Sequence, residues 1–218
     1  MMKKYGFTLA EVLITLAIIG VVATMTLPAL MSNTAEQQAK TGLKKGINVL
    51  TEAAQMNQAI EGFDYSSLQG VTIDPDPSSM SLYSLLAART SIDYNKSGDK
   101  VLGSRQGGNT AAANNYVVFF RDGSALLFDP TKIDAGKKQD DGLVYGIPVI
   151  FDTNGTKGPN ILSNCSGSST GVTKDATGAD LNAVCAPSKR VIKDQFGVRL
   201  REGYAVPNGA AARWAFEN

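Results

Sequence analysis

One apolar run governs what this chain can fold into. Residues 7–31, FTLAEVLITLAIIGVVATMTLPALM, hold a single charged side chain, Glu11. A helix needs about 20 apolar residues to cross the hydrocarbon of a bilayer, so the run is long enough to span one. A carboxylate inside it costs roughly 2.5–3.5 kcal/mol on insertion scales, so Glu11 needs a partner and a function. Lys3 and Lys4 precede the run. Cations on that side place the short head in the cytoplasm and the remainder outside. An ordinary secretory signal is cut behind its apolar core. Here the stretch Gly6-Phe7 in front of the core draws attention instead.

The string Gly6-Phe7-Thr8-Leu9-Ala10-Glu11, with Gly20 and Pro28 behind it, resembles the processing site of type IV prepilins and type II secretion pseudopilins. The resemblance covers the first thirty residues. It implies that a prepilin peptidase cuts between Gly6 and Phe7, that Phe7 is N-methylated, and that Glu11 serves assembly. The implied partners are that peptidase and methylase, other pilin-like subunits, an inner-membrane assembly platform and membrane lipid. The implied fold is α+β and pilin-like, a long N-terminal helix packed on a small antiparallel sheet. The expected division is a leader over residues 1–6, a membrane or filament-core helix over 7–31, an amphipathic continuation over 32–62 and an exported β-rich domain over 63–218. The expected location is the bacterial inner membrane, single-pass with the C-terminal domain outside, and then a pilus or pseudopilus. A plain membrane anchor, or an anchored binding protein that never polymerises, is the competing reading. Neither gives Glu11 a reason to be there.

Composition narrows the function. The chain has 218 residues, 21 Lys+Arg and 20 Asp+Glu, so no basic excess draws it to nucleic acid. It contains no histidine. That removes Ser-His-Asp and Cys-His catalysis and histidine-bearing zinc sites. Asp140 and Asp141, followed by Gly142, read as a solvated turn, and no enzymatic activity is expected. The two cysteines, Cys165 and Cys185, would meet oxidising conditions outside the membrane. A disulfide there closes a loop of roughly 20 residues and contributes about 3 kcal/mol in the chain-entropy model. Two separate buried thiols are the alternative.

Behind the span, Leu43, Ile47, Leu50 and Ala54 recur at helical spacing, with Ile60 further on. One helix from residue 7 to about 61 would be about 80 Å long. Pro28 is expected to kink or melt it. Gly42 and Gly46 weaken it by about 1 kcal/mol each relative to Ala. Residues 62–79 read as a connection, with Ser78 or Ser79 capping a short helix to about Arg89. Residues 97–115 read as a loop. Tyr116-Val117-Val118-Phe119-Phe120 and Ala125-Leu126-Leu127-Phe128 flank Arg121-Asp122-Gly123-Ser124. This predicts a hairpin whose two central residues take positive φ. Residues 145–152 form a third strand, at an edge or a bulge because of Pro148. Residues 195–201 form a fourth, in a sheet of about four. Trp214 and Phe216 either anchor the tail on the sheet or present an aromatic to a partner.

Asp152-Thr153-Asn154-Gly155-Thr156-Lys157-Gly158-Pro159-Asn160 is the second motif. With Asp194-Gln195-Phe196-Gly197 and Pro207-Asn208-Gly209, it resembles a DxNGxxGPN turn of pilin-like proteins. Here a Gly/Ser-rich insert carrying both cysteines separates the halves. Asp152 and Asn154 offer oxygens at alternate positions, as calcium loops do, and Asp175 and Asp180 are further candidates. Lys157 and the missing acidic positions oppose calcium. The alternative is a Gly-rich turn held by Asx hydrogen bonds.

Overall fold

The computed structural model describes residues 6–68, 80–93, 116–129, 133, 146–155, 157–165 and 190–218, with only the backbone of 28–30 and 32. Lys3, Lys4, Ser78, Ser79, the loop 97–115, Asp140, Asp141, Asp175, Asp180 and Cys185 lie outside these residues. The chain divides into two units, Met1–Gln37 and Gln38–Asn218.

The first unit is helical. Helix α1, Leu9–Glu61, begins in it and ends in the second. Its stretch Leu9–Leu27 is long and apolar enough to cross a membrane, and none of it is buried. The helix runs unbroken through Pro28, so the expected melting does not occur. A proline removes one backbone hydrogen bond, and the helical turns on both sides hold the backbone across it.

In the second unit α1 supplies the spine of the core. Ala39, Leu43, Ile47, Leu50, Ala53 and Ala54 are buried along one stripe. Ile60 is not part of it and is 62 % exposed. At about 100° per residue, the six steps from Ala54 carry it to another face. Gly42 and Gly46 do more than weaken the helix. The Phe151 ring lies directly over Gly46, and a Cβ at Gly42 would stand 2.8 Å from Thr153 Cβ. The two glycines let strand β3 approach the helix backbone.

Five antiparallel strands pair in chain order: β1 Tyr116–Phe119, β2 Ala125–Phe128, β3 Ile147–Asp152, β4 Gln195–Arg201 and β5 Tyr204–Pro207. Strand β3 is therefore central, which corrects the edge position expected from Pro148. The Thr153 N–H donates to the Asp194 carbonyl beyond the end of β4. Alternate residues face alternate neighbours, so the nitrogen of Pro148 faces β2. Pairing with β2 stops at Val149, opposite Phe128, so no ladder bond is lost there. The fifth strand goes beyond the four expected. It joins β4 through a two-residue turn, Arg201 facing Tyr204, and its Ala205 N–H donates to Thr51 Oγ1 of α1.

The β1–β2 hairpin differs from the expected turn. Gly123 has φ +93° and Asp122 is not at positive φ. The Phe120 carbonyl accepts from Gly123 N–H, and the Phe120 N–H donates to the Ser124 carbonyl. This is a type I turn closed by a glycine bulge.

Helix α2, Leu82–Arg89, is capped by Ser81, not by Ser78 or Ser79; Ser81 and Ser84 bond each other's backbone N–H. A C-terminal helix, α3, Ala210–Glu217, buries Ala211, Ala212 and Ala215. The main core lies between α1 and one sheet face, and a smaller cluster of Val117, Phe119, Ala125 and Leu127 is buried on the other.

Candidate functional site

Gly6, Phe7 and Thr8 precede the helix, and Phe7 is 89 % exposed. Thr8 caps α1. Its N–H and its Oγ1 both donate to Glu11 Oε2, at 2.8 and 2.7 Å, and the Glu11 N–H points back to Thr8 Oγ1 at 3.3 Å. This is a Thr-x-x-Glu capping box. It ends the helix two residues after the Gly6–Phe7 bond and leaves that bond in non-helical, exposed backbone. Within one chain, Thr8 therefore holds the carboxylate of Glu11. The spacing Thr8-Leu9-Ala10-Glu11 carried this signal in the sequence, but Glu11 was read there for its charge alone.

Residues 1–27 match the prokaryotic N-terminal methylation motif. This is the signature of the type IV pilin and pseudopilin family. No curated protein and no solved structure matches the chain. The motif implies processing by a prepilin peptidase and assembly with other pilin subunits, and it points to a structural subunit rather than an enzyme. With the apolar helix Leu9–Leu27, it is consistent with a single-pass inner-membrane anchor. The α+β arrangement, a long N-terminal helix with an antiparallel sheet, is consistent with a pilin-like fold.

The second motif folds into a network of hydrogen bonds. Asp152 Oδ1 accepts from the N–H groups of Asn154 (3.1 Å) and Gly155 (2.8 Å), and Oδ2 accepts from Gln195 Nε2 (2.9 Å). The Asn160 carboxamide, oriented by the acceptors around it, places its nitrogen 3.2 Å from the same Oδ2 and 2.8 Å from the Lys157 carbonyl. Asp194 closes the other side by accepting from the N–H groups of Asn160 (2.6 Å) and Ile161 (2.9 Å). Burial pushes the Asp152 carboxyl up from its ordinary value, against the pull of the bonds from Gln195, Asn154 and Gly155. The two halves of the motif, 34 residues apart between Asn160 and Asp194, are thus one structural joint.

Calcium takes 6–8 oxygen ligands. The oxygens of Asp152 face N–H donors, whose positive ends repel a cation, and among the described residues no three acidic, His or Cys side chains group to hold a metal. Asn154 Oδ1 is buried with no hydrogen-bond partner, and the further candidates Asp175 and Asp180 lie outside the described residues.

Cys165 follows a bridge in which Asn164 and Val191 exchange backbone hydrogen bonds of 2.9 and 2.8 Å. This bridge pins the base of the Gly/Ser-rich insert. Trp214 of α3 lies between two cations, with Lys40 Nζ 3.9 Å and Arg190 Cζ 3.6 Å from the ring centroid. Trp214 and Phe216 pack against the core, as expected of a tail anchor.

Proposed function

We propose that this chain is a structural subunit of a type IV pilus or a type II secretion pseudopilus. In this reading a prepilin peptidase removes residues 1–6 on the cytoplasmic side, Phe7 is methylated, and the helix Leu9–Leu27 holds the subunit in the inner membrane. An assembly platform then moves it into a filament. The observation that carries the reading is the methylation motif at residues 1–27, on a helix whose apolar face has no cover in the single chain. Glu11 serves assembly. Its axial partner is the new α-amino group of Phe7 in a neighbouring copy, which replaces Thr8.

The test is the mass of the purified mature chain. A start at methylated Phe7 is the expected result, and Gly6→Val is expected to block it. A chain retaining Met1 would overturn the reading in favour of an anchored binding protein. That second reading draws on one observation, an open groove of about 340 Å³ floored by Leu50, Phe120 and Phe151 and rimmed by Lys45, Glu52 and Arg89.

Cys165 and Cys185 form a disulfide in the same proposal, closing the insert beyond the Asn164–Val191 bridge. Peptide mapping without reductant is expected to recover the two linked. Two free thiols in material from an oxidising compartment would refute it.

A further inference from the structure

Asn154 is followed by Gly155. An asparagine before glycine is prone to deamidate on itself, because no side chain shields the glycine nitrogen. A base takes the proton of the Gly155 N–H, the nitrogen attacks Cγ of Asn154, and the Cγ–Nδ2 bond breaks with release of ammonia. Water then opens the succinimide ring at either carbonyl and leaves aspartate or isoaspartate at 154. In this fold the attacking atom is held. The Gly155 N–H donates to Asp152 Oδ1 at 2.8 Å, and the Asn154 N–H donates to the same oxygen at 3.1 Å. Asp152 is fully buried, and Gln195 Nε2 fixes its other oxygen at 2.9 Å. Gly155 is buried at φ +65°, with the Gly123 carbonyl packed against its α-carbon. The atoms under attack are held less firmly. Asn154 Nδ2 donates to the Gly158 carbonyl at 3.5 Å, and Asn154 Oδ1 is buried with no hydrogen-bond partner.

We propose that Asn154–Gly155 is a latent deamidation site, kept unreacted by the Asp152 carboxylate that holds the Gly155 nitrogen. Two effects act together. A hydrogen bond to a carboxylate is stronger than one between neutral groups, so the N–H stays turned toward Asp152 and away from Cγ. The negative charge of Asp152 also opposes the negative charge that the nitrogen must take on to attack. Opening of the joint between Asp152, Asn160, Asp194 and Gln195 removes both effects and starts the reaction. The product prevents closure. A carboxylate at 154 stands beside that of Asp152, and isoaspartate lengthens the backbone of the turn by one carbon. Loss of the joint is thereby made permanent and leaves a chemical mark. The proposal holds for a filament subunit and for an anchored chain alike.

The experiment incubates the full chain in detergent in warm, mildly alkaline buffer. Peptide mass spectrometry follows exchange of NH2 for OH at 154, and enzymatic methylation of isoaspartate gives a second readout. The same chain in urea supplies the unshielded rate. The folded parent is expected to react at least about tenfold more slowly than in urea, the factor that a hydrogen bond to a charged group contributes. Asp152→Ala is expected to raise the folded rate at least about tenfold. Asp152→Asn keeps an acceptor but loses the charge, and is expected to fall between the two; it carries the test if the alanine variant fails to fold. Ser81→Ala weakens the cap of α2 and touches no member of the joint, so its rate is expected to match the parent's. A folded parent that reacts as fast as in urea would overturn the proposal. So would Asp152 variants that react no faster, or more slowly, the latter showing that the carboxylate serves as the base. A rise in Ser81→Ala equal to that in the Asp152 variants would also overturn it, since global unfolding would then set the rate.

Discussion

Gly46 shows how one residue type can mean opposite things in a sequence and in a fold. By helix propensity it costs about 1 kcal/mol relative to Ala, yet the Phe151 ring occupies the space a Cβ would need. Gly46→Ala is therefore expected to destabilise the second unit, because displacing a packed ring costs about 1–3 kcal/mol and outweighs the propensity gain. In a Phe151→Leu background the same change is expected to stabilise. Thermal unfolding of the full chain in detergent, followed through its aromatic signal, checks the change of sign. Asp122 gives a pH prediction. Burial raises its carboxyl, but the bonds from Lys45 and Ser124 lower it further, so the folded value lies below the ordinary one. Its contribution is present above the unfolded value of about 4 and is lost as pH falls through the folded one. Asp122→Asn is expected to cost a few tenths of a kcal/mol at neutral pH, the scale of an exposed ion pair, with the gap closing in acid. A gap constant with pH would show that the ion pair contributes nothing. Asp152, raised by burial, has the opposite sign: its contribution is complete below the unfolded value and is lost as pH rises through the folded one.

The elements are held by local devices of modest size. Helix α2 has eight residues, too few to persist alone, and its first turn rests on the reciprocal Ser81–Ser84 bonds. Ser81→Ala is expected to cost about 1 kcal/mol, while Ser81→Thr retains most of the cap. Urea unfolding of the two variants separates a capping role from simple burial of a small side chain. The same logic applies at α1, where Thr8 and Glu11 cap the helix beside the Gly6–Phe7 bond. In the sheet, Pro148 is tolerated in a central strand because β2 is short. Extending β2 by one residue would set an acceptor against a nitrogen that cannot donate.

For the whole molecule, two features belong to a single chain only provisionally. The apolar helix Leu9–Leu27 is exposed along its length, and Glu11 is satisfied by Thr8 in the absence of a neighbour. Assembly is expected to exchange that bond for the Phe7 amine of another copy. Glu11→Leu removes the carboxylate without shortening the span. We expect insertion and cleavage to survive while incorporation into filaments fails. Normal amounts of the variant in sheared filaments would show that Glu11 has no part in assembly.

The sequence by itself determined the span, the core stripe Leu43–Ile47–Leu50–Ala54, the short helix ending at Arg89 and strands β1, β2, β3 and β4. Each is written in a local period or a contiguous motif that one short segment carries whole. Tertiary structure alone decided the rest. Strand β5 exists through its pairing with β4 and the Thr51 bond, and α3 through Trp214 between Lys40 and Arg190. The DxNGxxGPN turn became a structural joint because Asp194 and Gln195, distant in sequence, supply the acceptor and donor that close it. Pro148 is central because of where β2 ends, and Gly46 is a contact because of where Phe151 lies. These outcomes depend on partners far along the chain, and no window on the sequence contains both sides of such a bond.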